Sequence, residues 1–453
     1  MELFAEHALL PDGWARDVRV RVAADGRIES VRADSDTAGA ERVPGPLLPG
    51  MANLHSHAFQ RAMAGLAETV GDPNDSFWSW REQMYQLVLE LDPDQVEAIA
   101  AHLYVEMLKG GFTAVGEFHY LHHDRRGRPY DDPAEMTGRV LAGAQRAGIA
   151  MTLLPVLYSH GGFGGREAGP GQRRFLHDTD AYLALHEGLR QGLADHPLHR
   201  AGLCFHSLRA VTPVQIEAVL AAAPNGPVHI HVAEQTREVE DCLEWSGQRP
   251  VEWLLDHAPV DERWCLVHAT HMTESECSRL AGTGAVAGLC PTTEANLGDG
   301  IFSATEYLAD GGALGVGTDS HVSVTALEEL RLLEYGQRLF TQRRNRLATP
   351  ATPSVGRTLH DAAVAGGARA LGQPTGGIEA GARADLVVLD GERPLLAAAT
   401  DDEILNRWLF AGDASFVRDV YVGGHRIVQD GRHPAEHATG AAFASVLRDL
   451  GRA

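Results

Sequence analysis

Apolar and polar positions change rhythm twice along this chain, and the changes divide it. Up to about residue 48 the apolar residues come in short strand-like runs, at Val18–Val22, Ile28–Val31 and Leu47–Leu48, with Val43 on the return. From residue 49 onward, apolar runs of strand length alternate with stretches whose apolar residues recur every three or four positions, which places them on one face of a helix. Asp92–Lys109 illustrates the second kind. Asp92 can cap, Pro93 suits the first turn, Val96, Ile99, Leu103 and Met107 share a face, and Gly110-Gly111 ends it. Phe112–Phe118 follows as a predicted strand. Apolar runs that end in polar residues close near His57, Phe118, Leu157, His206, His231, His268, Cys290 and Asp319. Eight strands interleaved with helices is the count of a (β/α)8 TIM-type barrel. After Leu371 the strand pattern returns at Ala384–Leu389 and Val417–Val422, and a Gly423-Gly424 turn leads to Arg426–Val428. We therefore expect an α/β protein with a catalytic (β/α)8 barrel over 49–371 and a small β-sandwich domain built from both chain ends. That domain takes 1–48 and 372–453, with a C-terminal helix.

In such barrels the catalytic groups sit at the C-terminal ends of the strands. Those ends carry His55 and His57 on strand one, His206 on four, His231 on five, His268 on six and Asp319 on eight. The His55-Ser56-His57 spacing turns two imidazoles to one side of a strand, and neutral imidazoles suit Zn²⁺ or a similar borderline metal. Among 23 histidines one such pair could arise by accident. Satisfied core histidines would account for one or two of the six groups but not for the set. His119, His122 and His123, flanking Tyr120, are expected in a solvated loop rather than at a second metal. The glycine-rich stretch Gly161–Gly171 lacks a following Lys-Ser/Thr and reads as a mobile loop over the pocket after strand three, while Asp299-Gly300 reads as a plain turn.

Composition narrows the partners. Hydrophobic content of 44% and charged content of 22% are ordinary for a globular enzyme. The net charge of −22 argues against nucleic acid or an anionic membrane, and an anionic substrate would need a local arginine pocket. No apolar run reaches the length of a membrane span, and the Met-Glu-Leu-Phe-Ala-Glu start has no signal-peptide pattern. A cytoplasmic protein with reduced, buried thiols fits five cysteines that form no Cys-x-x-Cys.

The rim set, the His231-Val-Ala-Glu234 phrase and the late Ala380–Asp390 strand segment together resemble the amidohydrolase superfamily over most of the chain. The resemblance implies that His55, His57, His231 and Asp319 hold a single divalent metal, Zn²⁺ first and Fe²⁺ as the alternative. It implies that His268 touches the nucleophilic water, that Asp319 takes the water's proton and that Glu234 shuttles a proton to the leaving nitrogen. Binuclear members bridge two metals with a strand-four lysine. Here the one lysine, Lys109, ends a helix before strand two, and strand four ends in His206, so one metal is expected. His229 competes for the strand-five position, but the glutamate three residues after His231 favours the latter and leaves His229 a layer deeper.

At finer grain, the phrases Ala58–Leu66, Phe205–Val211, Cys290–Gly300 and Gly317–Ser323 resemble the deiminase branch of this superfamily that acts in histidine breakdown. That likeness implies conversion of N-formimino-L-glutamate and water into N-formyl-L-glutamate and ammonia. The small dicarboxylate amidine would meet Arg209, just past strand four, and Arg81, after strand one, with Gln60, Tyr120 and His206 as neutral partners. Each arginine could instead serve in a salt bridge. A homodimer is the family-level expectation. The alternative is a metal-dependent deaminase of a purine, guanidine or triazine-like heterocycle, which predicts aromatic stacking and little need for two arginines. A non-catalytic barrel would have lost some of the set, and none is missing.

Overall fold

The computed structural model describes residues 1–69 and 75–451. Its barrel strands are Met51–Ser56, Phe112–His119, Ala150–Pro155, a fourth strand in two pieces (His199–Ala201 and Leu203–Ser207), Val228–Val232, Trp264–His268, Val286–Leu289 and Ala313–Val316. They pair in parallel and in order, from the first strand to the leading piece of the fourth and from its trailing piece to the eighth. Two single bridges, Leu157 with Phe205 and Ser56 with Asp319, join the halves. The second bridge sets the residue between His55 and His57 beside Asp319. Every residue of the first, second, third and fifth strands is buried, because helices cover one face of a parallel sheet and side chains fill the barrel behind the other.

Local chemistry fixes the elements as the pattern predicted. Asp92 accepts the Gln95 N–H at the head of the Pro93–Lys109 helix. At its end, a Cβ on Gly110 would fall 2.4 Å from the Val324 carbonyl oxygen, so only glycine fits. Phe112–His119 then begins directly.

Both chain ends enter one mixed sheet. Its strands are Glu2–Leu10, Gly13–Val22, Ile28–Arg32, Glu41–Arg42 and Leu47–Pro49 from the N-terminal side, and Leu386–Leu389, Val417–Val422 and His425–Val428 from the other. Leu47–Pro49 joins the halves, with Leu48 opposite Val387 and Leu47 opposite Ala8. Leu386 and Val388 pack with Leu3, Val18 and Val20 in a core of the small domain, whereas Val387 and Leu389 pack into the barrel core. The period-two alternation of a strand explains why Leu-Val-Val-Leu carries no polar residue. Glu2–Leu10 was not anticipated, because Leu3-Phe4-Ala5 and Ala8-Leu9 are buried on both faces and break that alternation.

The C-terminal helix Glu436–Asp449 lies along the barrel helix Pro93–Lys109, with Glu436 paired to Lys109 and Phe443 stacked on His102 at 5.1 Å. One expectation needs correction. His119, His122 and His123 are buried rather than solvated. The chain turns inward there because the backbone N–H groups of His122 and His123 both donate to the Arg174 carbonyl at 3.0 Å, and the His122 and His123 rings donate to the carbonyls of Val156 and Leu176. The five cysteines are buried and unpaired. No helix among the described residues is long and apolar enough to cross a membrane.

Two glycines test this packing. In the Val355–Leu371 helix, a Cβ on Gly366 would lie 1.9 Å from the Leu314 carbonyl oxygen of the eighth strand, whereas Gly138, in Glu135–Ala147, faces open space. Gly366→Ala should cost about 1–3 kcal/mol through overpacking, and Gly138→Ala should raise stability by up to about 1 kcal/mol. Thermal unfolding of the two variants should show opposite shifts in Tm.

Candidate active site

At the rim, His55 Nε2 lies 3.1 Å from His57 Nε2 and 3.0 Å from His231 Nε2. Asp319 Oδ1 lies 3.5 Å from His55 Nε2 and 3.3 Å from His57 Nε2. The His57 Nδ1–H donates to the Phe118 carbonyl at 2.8 Å, and that of His231 to the His206 carbonyl at 2.9 Å. These bonds fix the tautomer and leave both Nε2 atoms as lone-pair acceptors. His55 Nε2 stands between them, and its Nδ1 has no hydrogen-bond partner among the described residues; with the His55 proton on Nδ1, three lone pairs converge there, an arrangement that a cation satisfies. A tetrahedral ion with bonds of about 2.0–2.1 Å sets its donors roughly 3.3 Å apart, which matches the separations among His55, His57 and Asp319 and between His55 and His231, so the residues present fit one divalent metal. Burial, helped by the neighbouring histidines, pushes His55 and His231 well below the usual imidazole range and His57 down to about 3. They are thereby kept neutral, as ligation requires.

Three groups of metal-capable donors converge among the described residues: His55–His57–Asp319, His55–His231–His268 and His268–Cys290–Glu294. The first two belong to this rim, and the His119, His122 and His123 cluster is not among them. Lys109 is engaged with Glu436. His229 donates to the Ala370 carbonyl at 2.7 Å, a layer below His231.

Behind the donors runs a chain of hydrogen bonds that spans the seam between strands one and eight. Asn53 bonds the Thr318 hydroxyl at 2.7 Å, Thr318 bonds His321 Nδ1 at 2.9 Å, and His321 Nε2 lies 3.2 Å from the Ser56 hydroxyl. Ser56 donates to Glu117 at 2.5 Å, and Glu117 also accepts from the Ala58 N–H at 2.7 Å and the Tyr104 hydroxyl at 2.9 Å. Burial pushes Glu117 up to about 7 against those bonds. Five non-glycine residues at the strand ends hold positive φ: Ala233 (51°), His268 (67°), Ala269 (48°), Asp319 (47°) and His321 (64°). Backbone strain of this kind persists only where the surroundings over-determine it. Neither Glu117 nor His321 was singled out from the sequence; Glu117 lay inside an apolar strand run, and His321 two residues past Asp319.

His268 and Glu234 stand on the other side of the cluster, among carboxylates. His268 Nε2 lies 3.8 Å from Glu234 Oε1 and 3.8 Å from Asp319 Oδ2, while its Nδ1 donates to Glu294 at 3.3 Å. Burial alone would lower His268, but the carboxylates of Glu234, Asp319 and Glu294 outweigh it and push it up to about 10. Burial raises Glu234 to about 7 against the pull of His268 and Arg209. Asp299, expected in a plain turn, is instead a buried acid bonded by Gln235, and burial with the nearby Glu234 charge pushes it up to about 9. Glu238, also missed, is fully buried and accepts the Glu234 N–H at 3.2 Å.

One cavity brings together His57, Gln60, Arg81, Tyr120, His206, Arg209, His231, Glu234, His268 and Asp319, with His55 beneath it. Gln60 donates to the Tyr120 hydroxyl at 2.9 Å, and its Oε1 is buried without a partner among the described residues. The His206 ring packs 4.4 Å from that of Tyr158 and is kept neutral by burial and by Arg209. The guanidinium carbons of Arg81 and Arg209 lie 4.5 Å and 6.0 Å from the Trp78 ring. The Nε of each arginine is buried with no hydrogen-bond partner among the described residues. Phe77, Trp80, Tyr85, Tyr158 and Phe175 complete the wall. Three of these come from the helix Phe77–Glu90, which Ser76 caps and which the Phe-Trp-Ser-Trp cluster could have signalled. The glycine-rich segment after strand three lines a second cavity at the mouth, sharing Arg81, Tyr158 and Arg209 with the first, and is pinned by Phe163 stacked 5.5 Å from Trp245.

A parallel barrel with convergent histidines and aspartate at its rim defines a metal-dependent hydrolase class, and the chain belongs to the amidohydrolase family, whose model matches residues 47–427. Residues 2–45 match a second model, described as the N-terminal domain of the formimidoylglutamate deiminase HutF. The chain is similar to formimidoylglutamate deiminase of Pseudomonas aeruginosa, at 60% identity over 449 residues that cover 99% of each protein. Among solved structures it is similar to an amidohydrolase from Brucella melitensis, with a TM-score of 0.95 and 52% identity over 99% of both chains. An adenosine deaminase from Xanthomonas campestris with bound zinc shares the fold at a TM-score of 0.83 and 23% identity, over 100% of this chain and 98% of that one.

Proposed function

We propose that this chain hydrolyses N-formimino-L-glutamate to N-formyl-L-glutamate and ammonia in histidine breakdown. The observation that carries the reading is the pair Arg81 and Arg209, unpartnered at Nε and in one cavity with Glu234 and the histidine–aspartate cluster. In a chain of net charge −22, such guanidiniums call for an anionic ligand, and a linear dicarboxylate amidine supplies one. The full-length likeness to the Pseudomonas aeruginosa protein of that name supports the same substrate.

In this reading His55, His57, His231 and Asp319 hold one divalent metal. The nitrogen-rich donor set suits Zn²⁺, with Fe²⁺ the alternative. Such an ion lowers the pKa of water from about 15.7 towards about 7 when bound. Asp319 divides its two oxygens, Oδ1 towards the histidine nitrogens and Oδ2 towards His268, so the second is free to take the water's proton. His268 orients the water through Nε2. Water adds at the formimino carbon of the cationic amidinium, leaving one proton on Asp319. Glu234 gives a proton to the terminal nitrogen, so that the C–N bond breaks and ammonia rather than amide anion leaves, and the hydroxyl proton passes back to Glu234 as the formyl C=O forms. Glu234 is suited to this because burial sets it near 7. Arg209 and Arg81 meet the carboxylates with forked, charge-assisted hydrogen bonds, and Gln60, Tyr120 and His206 make the neutral contacts. The aromatic wall favours a second reading, a heterocycle deaminase, but that substrate leaves both arginines without a role.

Ammonia release by metal-replete enzyme from N-formimino-L-glutamate, run beside guanine and adenosine, separates the two. Turnover of the first alone supports the deiminase; silence on it, or turnover of a purine, overturns it. Arg209→Met should lower kcat/KM by about 10- to 100-fold, mainly through KM, the worth of a hydrogen bond to a charged group; unchanged kinetics would favour the heterocycle. Glu234→Gln should keep its metal and lose about 10²- to 10⁴-fold in kcat, the usual contribution of a general acid. Loss of metal in that variant would make Glu234 a ligand instead.

A further inference from the structure

Three carboxylates surround the His268 ring, and Glu294 is the one that does not line the cavity. It lies on the helix Pro291–Leu297, directly after strand seven, and is 5% exposed. Its Oε1 accepts the Cys290 N–H at 2.8 Å and the His268 Nδ1–H at 3.3 Å. The first bond is a side chain reaching back to the residue that caps its own helix, and it fixes the carboxylate. The preceding residues fix the helix. The Thr292 N–H and hydroxyl both bond the buried Glu329 carboxylate, at 2.9 Å and 2.5 Å, and the Thr293 hydroxyl donates to the Thr318 carbonyl at 3.2 Å, beside Asp319. His268 needs such support, because it and Ala269 both hold positive φ at the strand end.

We propose that Glu294 is a positioning residue for the hydrolysis, holding the His268 imidazole by Nδ1–H so that Nε2 faces Glu234 Oε1 and Asp319 Oδ2. Holding the far nitrogen keeps its proton in place and sets the angle of the ring, the role a buried carboxylate plays behind a catalytic imidazole elsewhere. Without it the ring can turn or present its other nitrogen while His55, His57 and His231 keep their own partners. The inference rests on the reading of His268 as the group beside the reacting water.

Metal-loaded wild type, Glu294→Gln and Glu294→Ala would be compared for kcat, KM, metal content and the downfield proton resonance of the His268 Nδ1–H, assigned by its loss in His268→Asn. Glu294→Ala should lose the resonance and about 10²-fold or more in kcat, with KM and metal content unchanged. Glu294→Gln, whose amide oxygen still accepts, should keep the resonance, fall between the two in kcat, and carry the test if the alanine variant does not fold. An alanine variant with unaltered kcat and resonance overturns the proposal. So does a loss of kcat that merely tracks loss of metal. Absence of ammonia from the wild type would sink the substrate reading, while the resonance would still decide the role of Glu294.

Discussion

His55 Nε2 lies 3.0 to 3.5 Å from the Nε2 atoms of His57 and His231 and from an Asp319 oxygen, and at least two of the imidazoles have already given their other N–H to a carbonyl. With the His55 proton on Nδ1, which has no partner among the described residues, lone pairs packed this closely call for a cation. Much of the surrounding structure can be derived from that need. The imidazoles must be neutral, so they are buried. They must aim Nε2 inward, so the Phe118 and His206 carbonyls hold Nδ1. Asp319 must reach them from a different strand, so the barrel closes at that point through the Ser56–Asp319 bridge.

The closure is expensive to leave half-made. Asn53, Ser56, Glu117, Thr318 and His321 are buried polar residues that satisfy one another across the seam, and each one left unpaired would cost about 1–3 kcal/mol. Such a network is all or nothing. It holds strand one and the strand-eight loop as a unit, which is why strained residues such as Asp319 and His321 can persist there. On the other side of the histidine cluster the restraint is electrostatic, with Glu234, Glu294 and Asp319 around one buried imidazole. The site thus has a rigid, neutral half that can hold a metal and a charged half that can move protons.

What was legible in the sequence followed from periodicity and from chemistry fixed at strand ends. The barrel strands and the Pro93–Lys109 helix announced themselves by apolar runs and caps. His55, His57, His231, His268 and Asp319 were visible because a barrel rim is a predictable place. The unread parts depend on distance in space. Glu117 sits in an apolar strand, and only the fold shows that it receives Ser56, Ala58 and Tyr104. Asp299 followed by glycine has the form of a turn, and only burial beside Gln235 makes it an acid of the site. His119, His122 and His123 looked solvated because nothing local reveals that Arg174 draws their loop inward. Glu2–Leu10 escaped notice because a strand covered on both faces does not alternate.

Metal content measured beside activity and Tm, before and after chelation, decides whether the converging donors hold an ion. The convergent donors predict one divalent ion per chain, loss of activity and a lower Tm once it is removed, since a ligand that binds only the folded state stabilises it, and recovery on its return. A metal-free protein with full activity and unchanged Tm would show that the cluster needs no ion.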